Sequence, residues 1–557
     1  LHSGVRIARV VLLCAAAITV GVVLLSGGED DGPRTPAALP GLPPPFLGTA
    51  VAGDGGLTAA IDAYGNVVDL RPGPAGPALI DNPSDRQAAG TVASDTGIVP
   101  RVSIDGGEAM AMWEADRVTQ RYLAGTNVVR TVARFGGARV VMTVAASKGE
   151  FAVKIRASGG TPSVGVTIQN GVRCARERRA GLLDLICRSG RVVRPVSVGA
   201  LGDRPGSASA AVVRAAVADG RRWLLRSNGL GAGAPNWARS MYIRSLLTVH
   251  ALTSAKTGAV AAGARDGWAY VWPRDAATAA LALAASGHHA EARAVARFLA
   301  GLDLDAAARF DETGAAVPGR AAQGEALGWV DAAARATGVP ASNEPFPWRD
   351  RADYQESAPG TYLGNALAAT SVDGPKTQGG LEFSARQRRV AREFGTERGL
   401  VRAAGDPGSG LDSAAAWAVR PFGLSALYPA AEKTLLHLVE DGTPYGITPG
   451  EGWQGGEDPW TAPTAWSAWA LAGLATDAGQ AGTRGPRTNL PAVREGEVPS
   501  SRSRRAALVL LADLCRAATP AGNLPERVGA HTGIPTSTTP LLWSSAFAVL
   551  ALRELWP

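Results

Sequence analysis

The hydrophobic pattern of this chain changes character between its first and second halves. From about residue 47 to 211, short β-branched runs recur at 57–62, 66–70, 127–135, 138–144, 151–157 and 163–168, several of them alternating apolar with polar positions. Glycine-bearing turns separate them, which predicts half-buried strands and a β-sandwich. A helix or link follows over 212–225, and Asn228-Gly-Leu-Gly-Ala-Gly-Ala-Pro reads as a hinge. From Trp237 onward the period is helical. Candidate helices cover 237–254, 276–286, 289–302, 321–337, 361–369, 384–394, 411–419, 424–439, 463–475, 504–518 and 541–555. Their nearly continuous Ala/Leu composition suits helices packed on two sides. With one more helix the set makes twelve, enough for two concentric rings, an (α/α)6 toroid. A helical solenoid fits less well, because no fixed repeat length is visible.

The N-terminal stretch has a third pattern. Arg6 and Arg9 precede the apolar run Val10 to Leu25, and Glu29-Asp30-Asp31 follows it. Positive charge before and acid after predict a signal anchor or signal peptide over 1–28, with everything beyond it translocated. Residues 29–46 form a Pro/Gly-rich linker, an extended spacer. The expected organisation is therefore multidomain: anchor or signal 1–28, linker 29–46, β-sandwich 47–227 and toroid 228–557. The chain is expected at the cell membrane as a single-pass protein facing outward, or secreted, and as a monomer.

Composition narrows the function classes. With 46% hydrophobic and 19% charged residues, the chain can bury large cores. The net charge of +7 is spread thinly. Its densest clusters, Arg176-Glu177-Arg178-Arg179 and Arg502-Ser503-Arg504-Arg505, lack interleaved aromatic residues, so nucleic acid is not an expected partner. The six histidines show no ligand spacing, and no metal site is expected. Cys174 and Cys187 flank a presumptive hairpin tip and can pair outside the cell, whereas Cys14 and Cys515 read as unpaired.

Candidate chemistry concentrates where loops meet helices. Trp268-Ala-Tyr270-Val-Trp272-Pro273-Arg274-Asp275 runs as an extended lip into a helix N-terminus. Arg274 offers a fork of donors and Asp275 an acceptor for neighbouring sugar hydroxyls, beside the flat faces of Trp272 or Trp268. A buried Trp next to a helix-capping ion pair explains the same residues. Three further loops join carboxylates to aromatic rings: Asp353-Tyr354-Gln355-Glu356, the stretch from Tyr445 through Glu451 and Trp453 to Trp460, and Asn523-Leu-Pro-Glu526-Arg527 with Trp543 downstream. Cleaving an acetal with inversion needs a proton donor at the leaving oxygen and a carboxylate that activates water on the opposite face. Loops of this kind at one end of a toroid suit a saccharide pocket.

In these motifs the chain resembles the glucoamylase-like glycoside hydrolases of family 15, particularly bacterial members with a β-sandwich ahead of an (α/α)6 catalytic domain. Trp272-Pro273-Arg274-Asp275 is similar to that family's Trp-x-Arg-Asp element, Asp353 to Glu356 to its Asp-x-Trp-Glu acid loop, and Leu524-Pro525-Glu526 with Trp543-Ser544-Ser545-Ala546 to its base loop and following helix. The resemblance implies an exo-acting, inverting α-glycosidase that releases terminal glucose. Glu356 would be the general acid and Glu526 the base. Trp272, Arg274 and Asp275 would hold the sugar, and Tyr270, Glu451, Trp453 and Trp543 would contribute to substrate binding. No cofactor is implied. Partners would be an oligosaccharide or polysaccharide, and the membrane through the N-terminal segment. Glu356 and Glu526 should then face one another across a pocket about 6.5–9.5 Å apart, with Glu451 the replacement should either fail.

Two departures stand out. Gln355 occupies the place of the Trp before the acid, and Arg527 that of the Gln after the base. Trehalose or an α-1,6-glucan is an alternative substrate within the same machinery. From a different class, Gln355 makes a non-catalytic sugar-binding or envelope protein on a degenerate toroid a rival reading.

Overall fold

Two antiparallel sheets face each other in the first half of the chain. The computed structural model describes residues 37–82, 97–166, 173–179, 182–188, 208–340, 347–372, 380–483 and 499–557. One sheet has the order β1 (Gly48–Gly53), β2 (Leu57–Asp62), β3 (Val67–Pro72), β5 (Ile98–Ser103), β11 (Thr161–Val166), with short β4 (Ile80–Asp81) on β3 and β6 (Met110–Ala111) on β5. The other has the order β12 (Arg173–Arg179), β13 (Leu182–Arg188), β10 (Glu150–Ser158), β9 (Ala138–Ser147), β8 (Val129–Phe135), β7 (Arg117–Tyr122). In β8 the pleat buries Val129, Thr131, Ala133 and Phe135 and turns Arg130 and Arg134 outward, the alternation expected of a half-buried strand. The register of β12 on β13 sets Cys174 opposite Cys187 along the backbone.

β1 and β2 break the alternation because both of their faces are covered. Ala50, Ala59 and Ile61 join the core between the sheets. Val51 and Ala60 instead join the apolar cluster of the helical domain. A strand buried on two sides has no polar face to betray it, which explains why the Gly/Ala-rich β1 does not stand out in the sequence. Helix α1 (Ala208–Leu224) covers the outer face of the second sheet, packing Val212 with Val128, Ala145 and Ala152.

The N-terminal anchor or signal expected over 1–28 lies outside the described residues. Among those described, no helix is long and apolar enough to cross a membrane. Of the expected linker, the part from residue 37 onward lies against the sandwich. The Leu39 N–H donates to the Tyr64 hydroxyl at 2.9 Å, and Phe46 is fully buried with its N–H on Asp62 Oδ2 at 2.8 Å.

In the second half, helices α2 (Asn236–Ala251), α4 (His289–Ala300), α7 (Gly380–Phe394), α9 (Tyr428–Glu440) and α11 (Pro499–Ala517) lie outside an inner ring. The ring runs α3 (Pro273–Ala285), α5 (Ala326–Thr337), α6 (Leu363–Val372), α8 (Ala415–Val419), α10 (Thr461–Thr483) and α12 (Leu542–Leu555), and α12 closes back on α3. The expected twelve helices are thus eleven among the described residues. Where the outer helix between α5 and α6 would fall, Gly338 ends α5 in the left-handed region (φ 70°) and Pro340 follows, a helix stop. Among the described residues, 347–362 form the irregular approach to α6 that carries residues 353–356.

Alanine on the inner helices lets their backbones approach, and large rings fill the centre. Trp329, Trp417, Trp466 and Phe547, each from a different inner helix, meet in sequence at centroid distances of 5.3, 5.5 and 5.7 Å. The sandwich is bolted to this domain by polar groups. Buried Arg244 of α2 lies 3.6 Å over the Tyr122 ring and donates to the Thr126 carbonyl at 3.1 Å. Asn127 donates to the carbonyls of Gly53 and Leu247 at 3.1 and 2.9 Å.

Trp417 is fully buried and packs with four other rings, those of Trp329, Tyr354, Trp466 and Trp543. Trp417→Ala should therefore lower the unfolding free energy by about 3–5 kcal/mol. Urea denaturation checks this, and a loss under about 1 kcal/mol would mean that the ring centre repacks without it.

Candidate active site

The residues singled out by sequence converge because inner helices begin at a common end. Val271 pairs with Phe310 through two backbone hydrogen bonds of 2.7 and 2.8 Å, and Trp272 is still extended when Pro273 opens α3. Proline suits the first helical position, where its missing N–H is not needed. Arg274 and Asp275 consequently project from the first turn. Trp543 sits in the first turn of α12, Trp460 immediately before α10, and Gln323 and Glu325 immediately before α5. A cavity of about 270 Å³ opens among them, lined by Trp268, Trp272, Arg274, Asp275, Arg309, Arg320, Gln323, Tyr354, Gln355, Trp453, Trp460, Glu526, Arg527 and Trp543 with a few small residues. That size sits near the low end for small-molecule sites.

Arg274 is the electrostatic centre. Its side chain is 7% exposed and donates to Glu325 Oε1 at 2.5 Å, Gln323 Oε1 at 3.1 Å and Asp275 Oδ2 at 3.1 Å. The Trp543 ring lies 4.1 Å from its guanidinium carbon. Burial raises Asp275 to about 6, against the opposing pull of Arg274, and the nearby charge of Glu526 adds to the rise. Burial likewise raises Glu325, again opposed by Arg274.

Glu526 is 6% exposed and accepts from the Ser537 hydroxyl. Its backbone is pinned on both sides, N–H to the Thr538 carbonyl at 2.9 Å and C=O to the Thr461 N–H at 3.0 Å. The base loop is thus tied to the start of α10.

The loop expected to supply the acid behaves differently. Asp353 Oδ1 accepts from the backbone N–H groups of Gln355 and Glu356 at 2.8 and 2.7 Å, closing a tight turn. Tyr354 donates to Asp412 Oδ1 at 2.8 Å, and Gln355 Nε2 donates to the same oxygen at 3.0 Å. This turn sends Tyr354 and Gln355 to the cavity wall, and Glu356 is not among the lining residues. Glu356 instead lies 3.5 Å from Arg402. Gln355 of this loop thus lines the cavity, and Glu356 follows it in the turn with its side chain partly exposed. Burial and the charges of Glu325 and Asp412 push Asp353 well above the usual carboxylate range. Burial also raises Asp412 to about 6.

Of the other sequence candidates, Trp272, Arg274, Asp275, Trp453, Glu526 and Trp543 line the one cavity, and Tyr270 and Glu451 do not. Tyr270 packs under Arg309, whose guanidinium carbon is 4.9 Å from its ring. Glu451 is held by Arg398 at 2.5 Å and accepts from the Leu411 N–H at 3.1 Å, which makes it a loop brace and removes it as a replacement carboxylate. Sequence reading missed Glu325, Asp412, Arg309 and Arg320. Glu325 was discoverable as the acid just ahead of the helix that begins at 326. The loop arginines carry no such signal.

A sandwich followed by a ring of inner helices, with an Arg-Asp and tryptophan pocket at the helix N-termini, defines a two-domain protein with an α/α toroid. The profile of Glycosyl hydrolases family 15 matches residues 236–304, the segment that contains Arg274 and Asp275. A bacterial glucoamylase solved in complex with acarbose shares the fold at a TM-score of 0.62 and 12% identity, over 95% of this chain and 96% of that one. A wild-type glycosidase aligns at a TM-score of 0.45 and 18% identity over 58% of this chain and 99% of its own. The glucoamylase of Saccharomycopsis fibuligera aligns at 0.43 and 14%, over 59% and 97%. No curated protein matches the chain. The profile match covers part of the helical domain and the fold match nearly the whole chain, so the resemblance to the glucoamylase-like glycoside hydrolases of family 15 holds at both levels.

The raised pKa of Asp275 gives a signed prediction. Its unfolded value is about 3.9 and its folded value about 6, so between these the folded state binds a proton that the unfolded chain does not. Its contribution to stability therefore grows as pH falls through about 6 and is complete below the unfolded value. Urea unfolding of wild type and Asp275→Asn at pH 4.5 and 7.5 should show the wild type gaining on the variant at the lower pH. A constant or reversed difference would contradict the assignment.

Proposed function

We propose that the pocket holds the terminal sugar of an α-glucoside and that the chain hydrolyses it in an exo-acting, inverting reaction. The observation that carries this reading is the convergence of Arg274, Asp275, Glu526 and several tryptophans on one cavity at the inner-helix N-termini. The acarbose complex of the bacterial glucoamylase that shares the fold points to the same ligand class. Arg274 and Asp275 grip hydroxyls, and the indoles cover the apolar face of the ring. Glu526 takes a proton from the attacking water as the new bond forms at the anomeric carbon and the glycosidic C–O bond breaks.

The leaving oxygen needs a proton, and Gln355 has none to give. Glu356 is the adjacent carboxyl on that wall. In this reading it serves as the acid, with Arg402 beside it at 3.5 Å. The second reading, saccharide binding with little or no turnover, is favoured by Gln355 itself. The proposal also places the chain outside the cytoplasm, on the leader-like pattern of residues 6–31.

Reducing-sugar release and calorimetry with maltose, isomaltose, trehalose and soluble starch separate the readings. The first expects release from at least one substrate, with Glu526→Gln and Glu356→Gln each lowering kcat by roughly 10²–10⁴-fold. Binding without release, together with activity appearing in Gln355→Glu, selects the second. Neither binding nor release refutes both.

A further inference from the structure

Resting on the saccharide reading, we propose that the same pocket contains an oxyanion subsite, built by Arg309, Arg320 and Arg527, for a phosphate, sulfate or carboxylate group carried by the sugar. Four guanidinium groups line the cavity against two carboxylates, Asp275 and Glu526. Arg274 is already matched by Asp275 and Glu325. Among the described residues, none of the other three forms an ion pair.

Each of the three lies over an aromatic ring. Arg309 sits 4.9 Å from Tyr270, Arg320 5.8 Å from Trp272 and Arg527 5.7 Å from Trp460. The Nε atoms of Arg309 and Arg527 are buried with no hydrogen-bond partner. Arg309 donates from Nη2 only to the Pro318 carbonyl, at 3.3 Å.

The loop that bears Arg309 and Arg320 is pinned in place. Phe310 bridges to both Val271 and Ala316. Its own acids are occupied elsewhere. Asp311 caps the turn through the N–H groups of Thr313 and Ala315 at 2.8 and 3.1 Å. Glu312 accepts from the Ala75 N–H of the sandwich at 3.1 Å and from the Thr257 hydroxyl at 3.0 Å. Asp305 pairs with Arg351 at 2.6 Å. Arg309 and Arg320 therefore feel one another's like charge at the cavity, which Arg527 also lines, and the acids of their loop are turned away.

A neutral glucan offers only hydroxyls, which do not offset that repulsion. An oxyanion does, because a guanidinium fork matches a phosphate, sulfate or carboxylate in paired hydrogen bonds. The inner-helix N-termini around the pocket add to the favourable potential.

Calorimetry would compare glucose, glucose 1-phosphate, glucose 6-phosphate, glucuronic acid and inorganic phosphate at low and high NaCl. At least one anionic sugar should bind about tenfold or more tighter than glucose, with an advantage that shrinks as salt rises. Arg309→Gln and Arg320→Gln should each reduce the ratio of anionic to neutral affinity. Arg320 is exposed, so its replacement should leave the Tm unchanged. If glucose binds but no anionic sugar exceeds it, or if the ratio survives both substitutions, the subsite is refuted and the saccharide reading stands. If neither glucose nor any anionic sugar binds, the saccharide reading falls and the subsite with it. Inorganic phosphate binding as tightly as the sugar phosphates, with no glucose binding, overturns the subsite as part of a saccharide pocket.

Discussion

The guanidinium of Arg274 is the interaction on which the pocket depends. A charge that deep is tolerable only when its hydrogen bonds are met by acceptors and its charge by carboxylates. Asp275 and Glu325 supply both, Gln323 supplies a third acceptor, and Trp543 covers the flat face. These groups come from three inner helices or their approaches. Gln323 also reaches the Asp353 carbonyl at 2.6 Å, which brings in the loop before α6. The Arg274 cluster thus sets the relative positions of three helix starts and one loop. Without it, two buried acids would be left uncompensated, one of the larger penalties a protein interior can incur.

Around this node the surplus of acid is notable. Asp275, Asp353 and Asp412 are all raised by burial and lie within reach of Arg274 or of the Tyr354 and Gln355 turn. Arg309, Arg320 and Arg527 bring positive charge to the same cavity. The cavity and its immediate surroundings therefore hold charges of both signs. Such an arrangement orients a dipolar or charged guest before any contact is made.

How much of this was legible in the sequence depended on periodicity. The strands that alternate, such as β8, and the Ala/Leu helices that form the inner ring announced themselves. β1 did not, because burial on both faces erases alternation. The Arg274-Asp275 pair was found because it adjoins a recognisable helix start, and Glu526 because its loop joins a carboxylate to Leu524-Pro525 in a family-like motif. The choice between Gln355 and Glu356 was not legible. On an irregular loop no period says which of two neighbouring side chains faces inward, and here the answer comes from the Asp353 side chain clasping the two following N–H groups. Arg309 and Arg320 were invisible for a related reason: isolated loop arginines look like ordinary surface charge until the bridges at Phe310 set their loop beside the cavity.

One contact across the domain boundary reaches further than its size suggests. Asn523, three residues before Glu526, donates to the Thr49 carbonyl of β1 at 2.8 Å and to the Tyr122 hydroxyl of β7 at 3.1 Å. Glu312, in the loop of the pocket arginines, reaches the sandwich backbone at Ala75. Two of the loops that shape the cavity thus take their footing from the sheets. The sandwich and toroid are consequently poor material for recombination. A crossover in the hinge near residues 228–235 that brought in a foreign sandwich would leave the helices intact but unseat the base loop. The chemistry of the pocket therefore constrains strands that never touch its contents.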